Sequence, residues 1–389
     1  MLEIGIDEIT LVLKLAPGLK SRFSSFDWQN VAEDIIDIFS RKADFVKIYG
    51  DKLPEKKILQ GYTRAYTYGE HNFYLCVAYH EYQMSMGIAV RFSAQALDYY
   101  CEASGLKVYQ FLQKVKDDAY TARLSRIDLT ADYIDEGINI TEIYQNLMDK
   151  KIGIFREYVS KKTGETAYRK CVMQFQGYIK ECDVPTIYIG SVQSNSRLRI
   201  YDKKREQIEQ KGTKLDKAVQ CHDWVRFEGV FRHEFAHQLT SELLKVQSDN
   251  EFENLIACTL VQKYRFMYMD NGVVDYETEY TQMLLDCIRN QNFALKAPSS
   301  RNYDIAKSVG YLFGGSGVMN TLYKIKEIWG DDAIVMMLDY ISGTLNEWQP
   351  NADCRYWLIR NAEDYRKKYP DFHTFLITNL SIVLPYTTK

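Results

Sequence analysis

Hydrophobic residues alternate with polar ones along some stretches of the chain and recur at helical spacing along others. The opening segment, Ile4–Leu13, is rich in β-branched residues and alternates, which predicts a strand. In 28–39 the apolar residues recur every three or four positions, which predicts a helix. A tyrosine-rich stretch, 62–82, predicts paired strands, and a further strand over 86–93 leads into a helix that begins near Ala94.

The same order of elements returns further along the chain. A strand is predicted over 126–132, a helix over 140–148, two strands within 186–203, a strand over 224–228 and a helix over 232–244. We therefore predict an α+β fold of two diverged β-α-β-β-β-α halves, which form antiparallel sheets with helices on one face.

An alignment of the two halves shows where they differ in chemistry. Ile6-Asp7 aligns with Ile127-Asp128, and the stretch 90–93 aligns with 225–228. The second half has Glu228 where the first has Ser93, so only the second half offers a carboxylate pair, Asp128 with Glu228. If the fold is duplicated, the second half is the one expected to work.

Beyond about residue 247 the hydrophobic pattern becomes mainly helical, with a predicted linker at 297–300. The prediction is a non-catalytic N-terminal pseudo-repeat over 1–120, a catalytic half over 121–248, and a helical accessory domain over 249–389.

Composition changes this picture little. The chain has 389 residues, 46% hydrophobic and 26% charged, which is typical of soluble globular proteins. Three features predict a cytoplasmic protein with no membrane partner. The eight cysteines include no C-x-x-C pair, the sequence starts without a signal peptide, and it has no long apolar run. The net charge of −3 does not suggest nucleic acid. From 197 to 217, however, eight Lys and Arg stand against four Asp and Glu.

One basic segment carries a candidate nucleophile. On a strand, Arg197, Arg199, Tyr201 and Lys203 would share a face. Cations beside a tyrosine favour its phenolate, and they also bind a phosphate. An ordinary amphipathic strand with a basic solvent face explains the pattern as well. Because the chain has 30 tyrosines, only the context can select one.

A group of carboxylates suggests a metal site. Asp128 and Asp132 would share a strand face and, with Glu228 on a neighbouring strand, could hold a divalent cation through oxygen ligands. Equally, these carboxylates could pair with Arg126 and Arg226.

The motif His233-Glu234-Phe235-Ala236-His237 fits H-E-x-x-H, the zinc-peptidase pattern. Such short matches arise by chance, and the histidines are better explained as packing or DNA-backbone residues. The sequence contains no P-loop, dinucleotide-binding fingerprint, nucleophile elbow or H-x-H pair.

Taken in order, the segments 125–135, 186–207 and 224–239 resemble the replication initiation factor family, and 86–100 is also similar to one branch of it. Rolling-circle plasmid initiators and relaxases of integrative conjugative elements belong to this family. The resemblance covers about residues 4–244. One departure is Ala94-Gln95-Ala96, where the family suggests a glycine-containing stretch.

The resemblance implies a single-strand DNA transesterase. It implies Tyr201 as the nucleophile of a 5′-phosphotyrosyl link, and Asp128 and Glu228 as ligands of Mg²⁺ or Mn²⁺, with Asp132 a weaker candidate. Tyr188 is the second choice of nucleophile. Two further sets complete the hypothesis. Charge stabilisation is assigned to Arg199 and Lys203, and DNA contacts to Arg197, Lys204, Arg205, Arg126 and Arg226.

The expected partner is origin DNA, either single-stranded or extruded as a cruciform, on which aromatic side chains stack. A helicase, a conjugative coupling protein and a second copy of the chain are further candidates. Plasmid initiation and conjugative transfer use the same chemistry, so both remain open. The rival hypotheses are a non-catalytic DNA-binding protein of the same fold and the zinc peptidase.

Overall fold

The described residues of the computed structural model of the protein form fourteen strands and fifteen α-helices. The structure describes residues 1–389 with the exception of 17, 20–26, 57–58, 72, 160–164, 181–182, 290–294, 296–304, 315, 351 and 381–389. The chain divides into two units, 1–296 and 297–389. The predicted linker at 297–300 lies outside the described residues.

The strands, in chain order, are β1 (Leu2–Leu15), β2 (Lys52–Pro54), β3 (Arg64–Tyr68), β4 (Leu75–Tyr79), β5 (Ile88–Phe92), β6 (Tyr120–Ile134), β7 (Ile152–Val159), β8 (Thr166–Lys170), β9 (Phe175–Lys180), β10 (Asp183–Ile189), β11 (Ser196–Asp202), β12 (Trp224–Arg232), β13 (Arg265–Asp270) and β14 (Val273–Glu277).

The helices of the first unit are α1 (Trp28–Lys42), α2 (Phe45–Tyr49), α3 (Ala94–Ser104), α4 (Val108–Lys114), α5 (Ile140–Met148), α6 (Lys203–Gln210), α7 (Leu215–Gln220), α8 (Glu234–Leu243), α9 (Asp249–Tyr264) and α10 (Glu279–Asp286). The helices of the second unit are α11 (Ile305–Gly314), α12 (Val318–Trp329), α13 (Asp331–Glu347), α14 (Ala352–Lys368) and α15 (Phe372–Leu380).

Ten strands of the first unit form one antiparallel sheet, in the order β2-β3-β4-β5-β1-β6-β12-β11-β10-β9. This order is symmetric about the central pair: β1 and β6 begin the two halves and lie side by side, and β5 and β12 flank them. Each half contributes five strands, one more than the predicted β-α-β-β-β-α order has, and the halves are joined through their first strands. The predicted α+β class with antiparallel sheets is confirmed.

One face of this sheet carries the main core, because alternate residues of each strand are apolar. On β1, Ile9, Leu11 and Leu13 are buried in a cluster that also contains residues of the helices α1, α3, α5, α8 and α9. Helix α5 has the predicted bounds, and the side chain of Asn139 caps it by accepting a hydrogen bond from the backbone N–H of Glu142 (3.1 Å).

A second, four-stranded sheet has the order β14-β13-β7-β8 and belongs to the same unit. Its hairpin β13–β14 lies in a stretch for which the sequence predicted helices. The turn is Asn271-Gly272, where both residues have positive φ (48° and 84°), as the favoured two-residue hairpin turn requires. Phe266 and Tyr280 join the main core. The hairpin and its core contacts therefore lie within the first unit, 1–296.

The second unit is helical in its described part, as predicted for the C-terminal region. Helix α11 packs against α12 and α15, and α12 packs against α13. Phe375 of α15 is buried and contacts the rings of Tyr365, Tyr369 and Phe372. Among the described helices, none combines the length and apolar character needed to cross a membrane.

Candidate active site

Three neighbouring strands of the second half, β6, β12 and β11, place polar side chains on the sheet face away from the main core. On each of these strands the residues between the polar ones, such as Leu129, Phe227 and Ile200, point into the core cluster. The opposite set is called the polar face here. It consists of Arg126, Asp128, Thr130 and Asp132 on β6, Arg226 and Glu228 on β12, and Arg197, Arg199 and Tyr201 on β11.

Tyr201 lies at the centre of a three-residue arrangement on this face. Its hydroxyl donates a hydrogen bond to Glu228 Oε2 (3.2 Å). The same oxygen accepts a bond from Arg199 Nη2 (2.7 Å). The Arg199 guanidinium lies 4.2 Å from the centre of the Tyr201 ring, and Tyr201 is only 4% exposed. The structure thus brings together the tyrosine, one cation and one carboxylate that the sequence selected.

The protonation of this group differs from the expectation based on its basic neighbours. Burial, and next the charge of Glu228, raise the pKa of Tyr201 above its ordinary value, although Arg226 and Arg199 act in the opposite direction. Burial also raises the pKa of Glu228, despite the adjacent Arg199. In this arrangement Tyr201 is a neutral phenol that donates to a carboxylate with increased affinity for a proton.

Arg226 lies directly opposite Tyr201 in the β11–β12 register and is held by two carboxylates. Its Nε and Nη2 donate to both oxygens of Asp132 (2.6 and 2.7 Å), and its Nη1 donates to Asp7 of β1. Arg226 is 3% exposed. The structure therefore places Arg226 and Asp132, which the sequence assigned to DNA and metal binding, in a buried ion pair.

Arg126 forms the corresponding contact for Asp128. Its Nε and Nη2 donate to the two Asp128 oxygens (3.0 and 2.6 Å), and its Nη1 donates to Glu8 of β1 (2.6 Å). Glu8 also accepts a bond from Arg91 of β5 (2.9 Å). Burial raises the pKa of Asp128 to about 7, because Arg126 offsets the desolvation only in part.

The predicted basic residues around Tyr201 are placed in different ways. Strand β11 ends at Asp202, so Lys203 is the first residue of α6; its Nζ lies 5.6 Å from the centre of the Tyr201 ring and pairs with Glu206 (2.7 Å). The Arg197 guanidinium lies 4.2 Å from the centre of the Tyr188 ring. Arg197 Nε and Arg199 Nε are buried and have no hydrogen-bond partner among the described residues.

Two further predicted DNA contacts, Lys204 and Arg205, lie at the end of β11. Lys204 Nζ donates to the carbonyl oxygens of Cys221 (2.7 Å) and His222 (3.1 Å), and Arg205 pairs with Glu209 (2.9 Å). Both line a cavity of about 370 Å³ next to the strand end.

The H-E-x-x-H motif does not form one continuous helical turn. His233 precedes α8 with a φ of 51°, and the helix begins at Glu234. His237 Nδ1 lies 3.8 Å from a Glu234 oxygen. Within the part of the chain that the structure describes, no group of three or more His, Cys, Asp and Glu side chains is arranged to hold a metal ion.

Two residues of β1 that contact the polar face were not among the predicted site residues. Asp7 and Glu8 belong to the first half, yet they contact Arg226 and Arg126 of the second. The alignment of Ile6-Asp7 with Ile127-Asp128 contained the signal for Asp7, because it placed an acidic residue on the same face of a paired strand.

Comparisons with known proteins can be set beside this geometry. A family model described as replication initiation factor matches residues 122–338, more than half of the chain. Among solved structures, the chain is similar to a rolling circle replication initiator protein from Geobacillus stearothermophilus. The identity is 16% and the TM-score 0.49, over 74% of this chain and 97% of that chain. A likeness at this level transfers no residue roles. No curated protein matches.

Proposed function

The chain belongs to the replication initiation factor family, and we propose that it initiates replication by nicking one DNA strand at an origin with Tyr201. The observation that carries the proposal is the Tyr201 hydroxyl, hydrogen-bonded to Glu228 (3.2 Å) beside the Arg199 guanidinium. A nucleophile, a proton acceptor and a cation for the phosphate are the three groups that such a reaction needs.

The proposed reaction is a transesterification. The Tyr201 oxygen attacks the scissile phosphorus, the bond between phosphorus and the 3′-oxygen breaks, and a 5′-phosphotyrosyl link remains. The phenol proton passes to Glu228 Oε2, the oxygen that accepts the hydrogen bond of the Tyr201 hydroxyl, and the departing 3′-oxygen takes a proton from water. The covalent link conserves the phosphodiester energy for later religation.

Arg199 has a double role in this proposal. In the structure it covers the Tyr201 ring and keeps the tyrosine buried. Its side chain is 35% exposed, and its Nε has no partner among the described residues, so it retains donor capacity for a phosphate oxygen. We expect the incoming phosphate to draw Arg199 away from the ring, which exposes the nucleophile and places a cation on the reacting group.

The donor set fits a divalent cation of the Mg²⁺ or Mn²⁺ type. Asp128 and Glu228 are buried oxygen donors on the same face of neighbouring strands, and Glu228 lies opposite Thr130, two residues from Asp128. Mg²⁺ is commonly held by one or two carboxylates together with substrate phosphates. When bound, such an ion polarises the scissile phosphate. For Asp128 to serve as a ligand, Arg126 must release it and keep its bond to Glu8.

The proposed substrate is single-stranded DNA at an origin, including a strand exposed in a cruciform. Next to Tyr201, the half-buried Tyr188 with Arg197 and the exposed Tyr178 of β9 offer rings and a cation for unpaired nucleotides. Lys204 and Arg205 offer two further cations just beyond the end of β11, in a cavity that Asp183, Asp202 and Asp223 also line.

The proposal is tested by trapping the covalent adduct on a denaturing gel. Purified protein is incubated with Mn²⁺ and 3′-fluorescent single-stranded oligonucleotides tiled across the replicon that encodes it. We expect a slow-migrating adduct that Tyr201→Phe abolishes, that the matched control Tyr188→Phe retains, and that EDTA prevents. An adduct that persists in Tyr201→Phe, or a wild-type protein that forms none on any oligonucleotide, contradicts the proposal.

A further inference from the structure

The first half of the fold contributes directly to the polar face through a bulge in β1. Ile6 packs against the core cluster and Ile9 is buried in it. In a regular strand one of the two residues between them would point into the core. The β1–β6 register shifts between Ile6 and Ile9, so Asp7 and Glu8 share one pairing position. A bulge of this kind turns both side chains to the same face.

Each of these two carboxylates completes the bonding of one arginine in the second half. Asp7 accepts a hydrogen bond from Nη1 of Arg226, whose Nε and Nη2 donate to Asp132. The guanidinium opposite Tyr201 is therefore fixed from two strands. Since charge-assisted and bidentate bonds are the strong ones, this arginine has one orientation rather than several.

Glu8 acts on the other arginine. It accepts from Arg126 Nη1 (2.6 Å) while Arg126 binds both Asp128 oxygens, and it also accepts from Arg91 (2.9 Å). The side chain of Glu8 is 14% exposed and that of Asp7 is 16% exposed, so both bonds are largely shielded from water. Arg91 is itself a first-half residue, and the ion-pair chain thus runs from β5 through β1 to β6.

We propose that Asp7 and Glu8 are positioning residues for the nicking reaction, so that the N-terminal half is a working part of the site. They act through Arg226 and Arg126, which they hold against Tyr201 and Asp128. The inference rests on the proposed nicking function, and it adds to it a requirement for both halves of the fold.

Asp7→Asn and Glu8→Gln test the inference, with Glu3→Gln as matched control. Glu3 is also a β1 carboxylate and lies opposite Asp132 in the β1–β6 register, but its ion-pair partner is Lys217 rather than Arg226 or Arg126. At saturating oligonucleotide, we expect the single-turnover rate of adduct formation to fall about tenfold or more in Asp7→Asn and Glu8→Gln, because each loses a charged hydrogen bond to an arginine. Glu3→Gln should keep the wild-type rate, and oligonucleotide affinity should stay within about twofold in all three.

Several outcomes would overturn the inference. One is a rate in Asp7→Asn and Glu8→Gln equal to that of Glu3→Gln. A second is an equal rate loss in Asp7→Asn and in Asp7→Glu, which retains the charge. A third is a rate loss that is proportional to the loss in Tm, because a purely structural role would give that result.

A second measurement does not depend on activity. In ¹⁵N-arginine spectra, Arg226 and Arg126 Nε–H signals, assigned with Arg226→Lys and Arg126→Lys, should exchange slowly with water in the wild type. Asp7→Asn should speed exchange at Arg226, and Glu8→Gln at Arg126. Unchanged exchange rates would overturn the positioning role. If the wild type forms no adduct, the proposed nicking function fails, and these spectra still decide whether the first half fixes the arginines.

Discussion

The two halves of the central sheet place different side chains at equivalent positions. When Arg91 of β5 is aligned with Arg226 of β12, the strand registers place Cys76 where the second half has Tyr201. Two residues after Arg91, the backbone N–H of Ser93 donates a hydrogen bond to the carbonyl oxygen of Tyr74 (2.9 Å). At the equivalent position the second half pairs Glu228 with Arg199. The two halves share the backbone arrangement at these positions, but their side chains differ in chemistry.

The surroundings of these positions differ as well. In the first half, Cys76, Ala65 and Ala78 form a small buried cluster that Leu59, Tyr62 and Tyr74 cover. In the second half the same face carries arginines and carboxylates that form buried ion pairs. Burying charges costs free energy unless they are paired, and such a cost is typical of a face kept for a ligand. The two halves thus share a backbone arrangement, but the paired buried charges lie on the second half, and the first half adds Asp7 and Glu8 to them.

The largest difference between the two halves in the rate of adduct formation is expected at the aligned pair Glu228 and Ser93. Glu228→Gln removes the proton acceptor of Tyr201, and we expect adduct formation to slow roughly 10²- to 10⁴-fold, the usual contribution of a general base. Ser93→Ala removes only the cap of α3, where the Ser93 hydroxyl accepts from the Ala96 N–H (3.3 Å). It should cost about 1 kcal/mol of stability and leave the rate unchanged. Single-turnover kinetics and urea unfolding measure the two effects, and equal rates in the two variants would contradict the assignment.

The aligned arginines, Arg226 and Arg91, are expected to differ in how much each contributes to the free energy of unfolding. Arg226→Met leaves Asp132 with an uncompensated buried charge, and we expect a loss of about 3–5 kcal/mol in the free energy of unfolding. The side chain of Arg91 is 35% exposed, and its partner Glu8 retains Arg126, so Arg91→Met should cost about 1 kcal/mol or less. Chemical denaturation measures both values. Similar losses in the two variants would show that the halves do not differ in how they bury charge.

Much of this fold could be predicted from the sequence, because the signals were local. Alternation identified β1, β6 and β12, and helical spacing identified α5 with its observed bounds. The duplicated order of elements predicted two halves. The hairpin at Asn271-Gly272 was missed, although its turn residues are a strong signal.

The candidate site was predictable only in part. Alternation placed Tyr201, Arg199 and Glu228 on suitable strands, and their contact follows from the register of β11 and β12. The roles of Asp7 and Glu8 depend on a bulge and on a strand pairing between halves, and neither can be read from spacing alone. The pKa of Tyr201 was expected to be lowered by nearby cations, but burial dominates and raises it.

The most direct test of the central claim is to locate the covalent bond. Adduct formed with a single-stranded origin oligonucleotide is digested with nuclease and protease, and the peptides are analysed by mass spectrometry. The account predicts a nucleotide attached through a 5′-phosphate to Tyr201, in the peptide around Arg199–Lys203. A nucleotide on Tyr188, or on any residue other than Tyr201, would contradict it.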